Sequence, residues 1–224
     1  MTDYIAPLRD MQFILKELAG LDAVAGLPGC EEASEDLVSA VLEEAGKFAA
    51  GVLAPINWQG DVQGCRLNAD GSVSTPDGWQ EAYTKFAESG WIGLSLPVEY
   101  GGQGLPKLLS TAVWEMWFST NMAFTMLPQL NVGQAEALQI AATDEQKATW
   151  LTKVVSGEWA STMNLTEPQA GSDLAATRCK AEPQADGSYR LSGQKIFISY
   201  GEHELTPNIV HLVLARLPDP PAGV

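Results

Sequence analysis

Between Met163 and Asp173 the sequence reads MNLTEPQAGSD: a short apolar lead, a Thr-Glu-Pro corner, a small-residue turn at Ala170-Gly171, and a Ser-Asp pair. The Thr166 hydroxyl can face whatever lies above the corner, and Pro168 fixes its own φ while pushing Glu167 out of helical conformation. Gly171 tolerates φ > 0 and lets a ligand approach closely, while Ser172 and Asp173 add side-chain oxygens beside a row of backbone N–H groups. Such a turn suits an anionic or carbonyl-rich ligand. The same residues also describe a surface turn in which Ser172 and Asp173 act as caps, and spacing alone does not separate the two. Glu167 and Asp173 also raise a paired-carboxylate acid/base site. Arg178 and Lys195 raise phosphate contacts, against the plainer reading of each as part of a solvated strand face.

The elements that must position this stretch follow from periodicity. Met11, Ile14, Leu15 and Leu18 recur at helical spacing between Asp10 and Ala19, an arm expected to pack on the main body, against the plainer reading of a frayed terminus. Ser34 caps a long helix with the stripe Leu37, Val38, Val41, Leu42, Ala45, Phe48, Ala49, Val52 and Leu53, closed by Pro55. Residues 57–77 read as loop, with a hairpin around Asn68-Ala69-Asp70-Gly71. A helix near Pro76 carries Trp79, Tyr83, Phe86 and Ala87 and stops at Gly90. Glycines and prolines make residues 91–106 a turn-rich loop. Helices follow over Leu108 to Ser119 and Met122 to Thr143, with a kink expected at Pro128. Asp144 caps a last helix that buries Trp150, Leu151, Val154 and Val155 and ends at Gly157.

At Trp159 the period changes. Strands are predicted over Ala160 to Leu165, Ala176 to Pro183, Tyr189 to Ser192, Gln194 to Ser199 and Asn208 to Arg216, with a turn at Ala185-Asp186-Gly187-Ser188. The expected architecture is α+β: an N-terminal extension (1–29), a helical domain (30–158), and the start of a β-barrel-like domain (159–224) that opens with the Thr-Glu-Pro stretch. The tail from Pro218 to Val224 reads as a Pro-rich exit, and the expectation is a chain cut from something longer.

Of the 224 residues, 46% are hydrophobic, enough for real cores. Acidic residues number 28 against 13 basic, a formal charge of −15, which argues against nucleic acid as partner. No run reaches the length of a membrane span and the first residues lack a signal-peptide pattern, so a cytoplasmic location is expected. Cys30, Cys65 and Cys179 are odd in number and widely spaced, fitting reduced thiols. With His203 and His211 the only histidines, no metal-ligand spacing emerges.

Three stretches in register, Thr166-Glu167-Pro168-x-Ala170-Gly171-Ser172-Asp173, Gly90-Trp91-Ile92-Gly93-Leu94 with Pro97-x-Glu99-Tyr100-Gly101-Gly102-x-Gly104, and Gly193-Gln194-Lys195-Ile196-Phe197-Ile198-Ser199, resemble the acyl-CoA dehydrogenases. The resemblance runs from about Glu31 to the end. The N-terminal extension and Tyr200-Gly201-Glu202-His203 are most similar to the branch that includes the methylthiopropanoyl-CoA dehydrogenases.

The resemblance implies a bound FAD and an acyl-CoA thioester lying between a helical domain, a β-domain and a C-terminal helical bundle. It implies removal of an α-proton by a carboxylate and passage of a β-hydride to the flavin, with electrons leaving to electron-transfer flavoprotein. Carried over, Thr166 is the hydroxyl that bonds the flavin ring, with Met163, Asn164 and Leu165 on the strand beneath it. Gly171 and Ser172 complete the cofactor turn, and Ser172 also meets the substrate. Phe197 stands where the family commonly has a Trp against the ring, Ile198 follows it, and Ser199 replaces a Thr; Asn164 departs from the usual small residue. By the family pattern neither Glu167 nor Asp173 faces the α-carbon.

The stripe Met122, Phe124, Met126, Leu127 and Leu130 reads as core and, by the resemblance, as a wall of the acyl pocket. The family's base is a Glu in the C-terminal bundle, so no catalytic residue is expected in this chain, and the chain alone is expected to be inactive and to bind flavin weakly or not at all. The intact protein is expected to be a homo-oligomer. An oxidase of the same fold and a non-catalytic flavoprotein-like binding module are the alternatives. For the substrate, methylthiopropanoyl-CoA stands ahead of a medium straight-chain thioester.

Overall fold

The computed structural model describes residues 4–218. Ser34 caps helix α3 (Glu35–Phe48), its hydroxyl accepting the Leu37 N–H at 3.3 Å, as the sequence suggests. Pro55 does not close the helix. A π-turn (Ala49–Leu53) carries α3 directly into α4 (Ala54–Gln63), with Ala54 N–H reaching back to Ala49 O, so Pro55 falls in the first turn of a new helix, where no N–H is needed. The first residues of the predicted loop are therefore helical. Gly60 marks a close crossing rather than a break: a Cβ there would come within 2.9 Å of Trp79 Nε1.

The arm preceding α3 packs instead of fraying. Helix α1 (Leu8–Phe13), a π-turn (Ile14–Leu18) and α2 (Leu21–Ala25) bury Met11, Leu15 and Leu21, and Gln12 donates to Ser39 on α3 at 2.8 Å. Ile14 and Leu18 of the expected stripe remain exposed.

A short hairpin, β1 (Arg66–Leu67) with β2 (Val73–Ser74), turns at the predicted Asn68–Gly71. Helix α5 (Trp79–Glu88) starts after Gly78, in the left-handed region at φ 84°, rather than at Pro76. Its Phe86 packs edge-on to Trp117 with ring centroids 4.6 Å apart and to Phe48 at 5.6 Å, joining α3, α5 and α6 in one aromatic core. The glycine-rich loop between α5 and α6 is a closed knot. Gly93 O accepts from both Leu96 N and Gln103 N, Leu105 N donates to Leu94 O, and Ile92, Leu94 and Leu96 are buried.

Helix α6 (Lys107–Ala141) contains one non-helical residue, Asn121, at φ −152°, ψ 84°. Asn121 Oδ1 accepts the Phe124 N–H at 3.0 Å, capping the second half, and its amide donates to Leu53 O at 3.4 Å. The two predicted helices thus meet at Asn121, and the break expected at Pro128 is not there. Helix α7 (Asp144–Gln146) is capped by Thr143 and not by Asp144: the Thr143 hydroxyl and the Gln146 side chain form a reciprocal box. A π-turn (Lys147–Leu151) leads into α8 (Thr152–Ser156), which ends at Gly157 with φ 78°.

Strand β3 (Ala160–Asn164) lies against α6 and pairs in parallel with β6 (Ile209–Val213), while β4 (Lys180–Pro183) and β5 (Tyr189–Ser192) form an antiparallel hairpin. Residues 174–176 are a 3₁₀ turn, so the predicted second strand starts only at Lys180. Residues 194–199 form no strand. Phe197 (φ 58°) and Tyr200 (φ 55°) sit in the left-handed region and turn the chain out of the extended form. The Pro-rich tail lies, from residue 219 on, outside the described residues.

Candidate functional site

Strand β3 delivers the Thr-Glu-Pro corner. Met163 and its partner Leu212 on β6 stand opposite each other and are both partly exposed, with Leu214 beside them. Asn164, the departure noted in sequence, is committed within the sheet. Its Oδ1 accepts from the Thr162 hydroxyl at 2.6 Å, that hydroxyl also meets His211 Nδ1 at 2.6 Å, and Asn164 O accepts the Leu214 N–H at 3.1 Å.

After the corner, Glu167 and Ala170 exchange N–H···O bonds of 2.9 and 3.0 Å, closing a tight turn. Asp173 Oδ1 accepts the Ala175 N–H at 3.0 Å, the capping role open to it from sequence. Gly171 and Ser172 are exposed, and their N–H groups have no hydrogen-bond partner among the described residues. The hydroxyls of Thr166, Ser172 and Ser199 likewise have none among the described residues.

Glu167 is no acid/base candidate. Its carboxylate is buried and accepts from Lys195 Nζ (2.8 Å), Arg178 N (2.7 Å), Cys179 N (3.0 Å) and Gln169 Nε2 (2.5 Å). Burial alone pushes its pKa up, yet these four donors outweigh burial and hold it at about 2. Lys195 correspondingly is not on a solvated face: it turns inward, also donating to Leu165 O at 2.9 Å. Arg178 keeps an exposed side chain.

The 193–199 segment joins the corner at one backbone bond, Ile196 N–H to Thr166 O at 3.0 Å. Beyond it Phe197 is 88% exposed, Ile198 half-buried and Ser199 exposed. The geometry therefore brings Met163, Asn164, Leu165, Thr166 and the start of Phe197–Ser199 together, with Gly171 and Ser172 one tight turn away. Sequence reasoning missed the anchor that follows. Tyr200 donates to Ala123 O at 2.6 Å and stacks on Trp79 at 6.5 Å, His203 is buried with Nδ1 accepting the Leu205 N–H, and Glu204 accepts from Thr75 N and Oγ1. An aromatic and a histidine within four residues was the available signal.

The Met-rich stripe divides. Phe124 and Leu127 are core, whereas Met122 and Met126, expected to be buried, are exposed on the helix face flanking Ala123.

Chemically, the stretch combines an exposed apolar pair on β3 and β6 with unpartnered hydroxyls and N–H groups along the same corner and turn, donors suited to a carbonyl-rich or anionic ligand. Among the described residues no His, Cys, Asp and Glu cluster could hold a metal, and no helix is long and apolar enough to cross a membrane.

A family model described as "Acyl-CoA dehydrogenase, N-terminal domain" matches residues 36–158. The 3-methylmercaptopropionyl-CoA dehydrogenase of Ruegeria pomeroyi is 48% identical over 99% of this chain and 37% of its own length. A butyryl-CoA dehydrogenase of Syntrophomonas wolfei is 33% identical over 99% of this chain and 37% of its own. The chain thus spans about 37% of the length of these curated relatives. Among solved structures, an acyl-CoA dehydrogenase from Bacillus anthracis complexed with FAD superposes with a TM-score of 0.66 at 24% identity, covering 84% of this chain and 29% of that one. The fold is that of these proteins, a helical N-terminal domain followed by part of a sheet domain.

Proposed function

We start from the fact that this chain belongs to the acyl-CoA dehydrogenase family, and we propose that the protein dehydrogenates an acyl-CoA thioester between its α and β carbons, with FAD as cofactor. The observation that carries the reading is the junction of Thr166 with Ile196, a 3.0 Å backbone hydrogen bond that brings the segment bearing Phe197 and Ser199 to the corner that continues strand β3. FAD when bound supplies the hydride acceptor.

The residues themselves bind and orient. The Thr166 and Ser199 hydroxyls would donate hydrogen bonds to the ring, Met163, Asn164, Leu165 and Ile198 would supply the neighbouring backbone, and Phe197 would present an aromatic face. The Gly171 and Ser172 N–H groups would help hold the cofactor, and the Ser172 hydroxyl would be available both to it and to the thioester. No residue here is assigned as base: Glu167 is fully engaged, and Asp173 caps its turn. The α-proton is proposed to go to a carboxylate outside these 224 residues.

We extend the proposal to electron-transfer flavoprotein as acceptor, to a homo-oligomeric cytoplasmic enzyme, and to a division at residues 29/30 and 158/159. The 48% identity to the Ruegeria protein favours a methylthiopropanoyl-type thioester as substrate. The test is FAD binding to the full-length protein: a yellow protein whose flavin band moves on binding, and whose affinity falls on Thr166→Ala, is expected. A protein that takes up no FAD on reconstitution contradicts the reading.

A further inference from the structure

We propose that Lys195 is a positioning residue. It clasps the two cofactor-facing segments, Leu165–Thr166 and Ile196–Ser199, in register, and Glu167 serves as its buried counter-charge. The inference rests on the reading of these segments as an FAD site and adds to it a residue that touches neither cofactor nor substrate.

Lys195 and Glu167 have side chains 9% and 3% exposed, the one ion pair of this burial among the described residues; the other pairs lie at the surface. One ammonium spans two acceptors, Glu167 Oε1 at 2.8 Å and the Leu165 carbonyl at 2.9 Å. The next residue along, Ile196, donates its N–H to the next carbonyl, Thr166 O. Two adjacent residues of one segment thus hold two adjacent carbonyls of the other. These bonds stand in for a ladder, because Phe197 leaves the extended form and no strand pairing continues beyond Ile196. Without Lys195, a single backbone hydrogen bond would set the register between the Thr166 hydroxyl and Ser199.

Glu167 in turn is held by Arg178 N, Cys179 N and Gln169, so the clasp is fixed to the segment leading into β4. Removing only one partner leaves an uncompensated buried charge, which destabilises the fold whatever else the pair does. Removing both charges relieves that penalty and leaves the Leu165 carbonyl unheld.

The decisive variant is therefore Lys195→Met with Glu167→Gln in one full-length protein, beside each single change. Expected are recovery of the midpoint of thermal unfolding toward wild type, about tenfold weaker FAD binding, the order that follows from one lost charge-assisted hydrogen bond, and a displaced flavin band. Amide exchange at Ile196 in the cofactor-free protein is expected to stay accelerated. If the double variant regains wild-type exchange, FAD affinity and flavin spectrum together with its stability, Lys195 is a structural residue only and the proposal is overturned. A wild-type protein that binds no FAD defeats the functional reading instead, and the exchange measurement still decides whether the clasp exists.

Discussion

Tyr200 donates its hydroxyl to the backbone carbonyl of Ala123 at 2.6 Å, tying the loop that follows the 193–199 segment to helix α6 beside Met122 and Met126. Its ring stacks on Trp79 at an interplanar angle of 25°. Tyr200→Phe keeps the ring and loses the bond, so a cost of about 0.5–1.5 kcal/mol is expected in urea unfolding. Tyr200→Ala, which also empties the stacking site, should cost more.

His203 sets a pH dependence near neutrality. Burial lowers its pKa, and the charges of Glu204 and Glu202 oppose this only in part. Its Nδ1 already accepts the Leu205 N–H, so protonation there places two donors face to face. Because the folded-state pKa lies below the unfolded value of about 6.5, the contribution is present above that value and is lost as pH falls through it toward the folded pKa. Denaturant midpoints measured from pH 8 to pH 5 should fall for the wild type, and His203→Gln should flatten that fall.

Glu167 acts lower on the scale. Burial would raise its pKa, but the Lys195, Arg178, Cys179 and Gln169 donors bring it to about 2. Its contribution is therefore present above the ordinary glutamate value and lost as pH falls through about 2. Glu167→Gln should reduce the acid dependence of stability in that window while lowering the unfolding midpoint at pH 7, where it leaves Lys195 buried without its counter-charge.

Gly102 is placed by contact. A Cβ there would stand 2.1 Å from the Leu96 carbonyl oxygen, which is backbone and cannot move aside. Gly102→Ala should cost about 1–3 kcal/mol by overpacking. Gly101→Ala meets nothing within 4 Å but carries φ 90°, so its cost arises from backbone strain alone.

Much of the helical half was legible in local chemistry. Ser34 and Gly157 mark helix ends by capping, and the Asn68–Gly71 hairpin is a local turn. Features set by neighbours were not legible. Pro55 reads as a stop until the π-turn before it is seen, and Gly60 reads as loop until Trp79 is found against it. Near the corner, Gln194 to Ser199 read as a strand, which the positive φ of Phe197 interrupts. Lys195 looked solvated because its partner lies 28 residues away in sequence.

The most direct test of the central claim is an anaerobic absorbance titration of the full-length flavoprotein with a panel of acyl-CoA thioesters. Bleaching of the flavin band that depends on the thioester, at lowest concentration with a methylthiopropanoyl-type chain, is the predicted result. A yellow protein that no acyl-CoA thioester bleaches would contradict the proposed dehydrogenation.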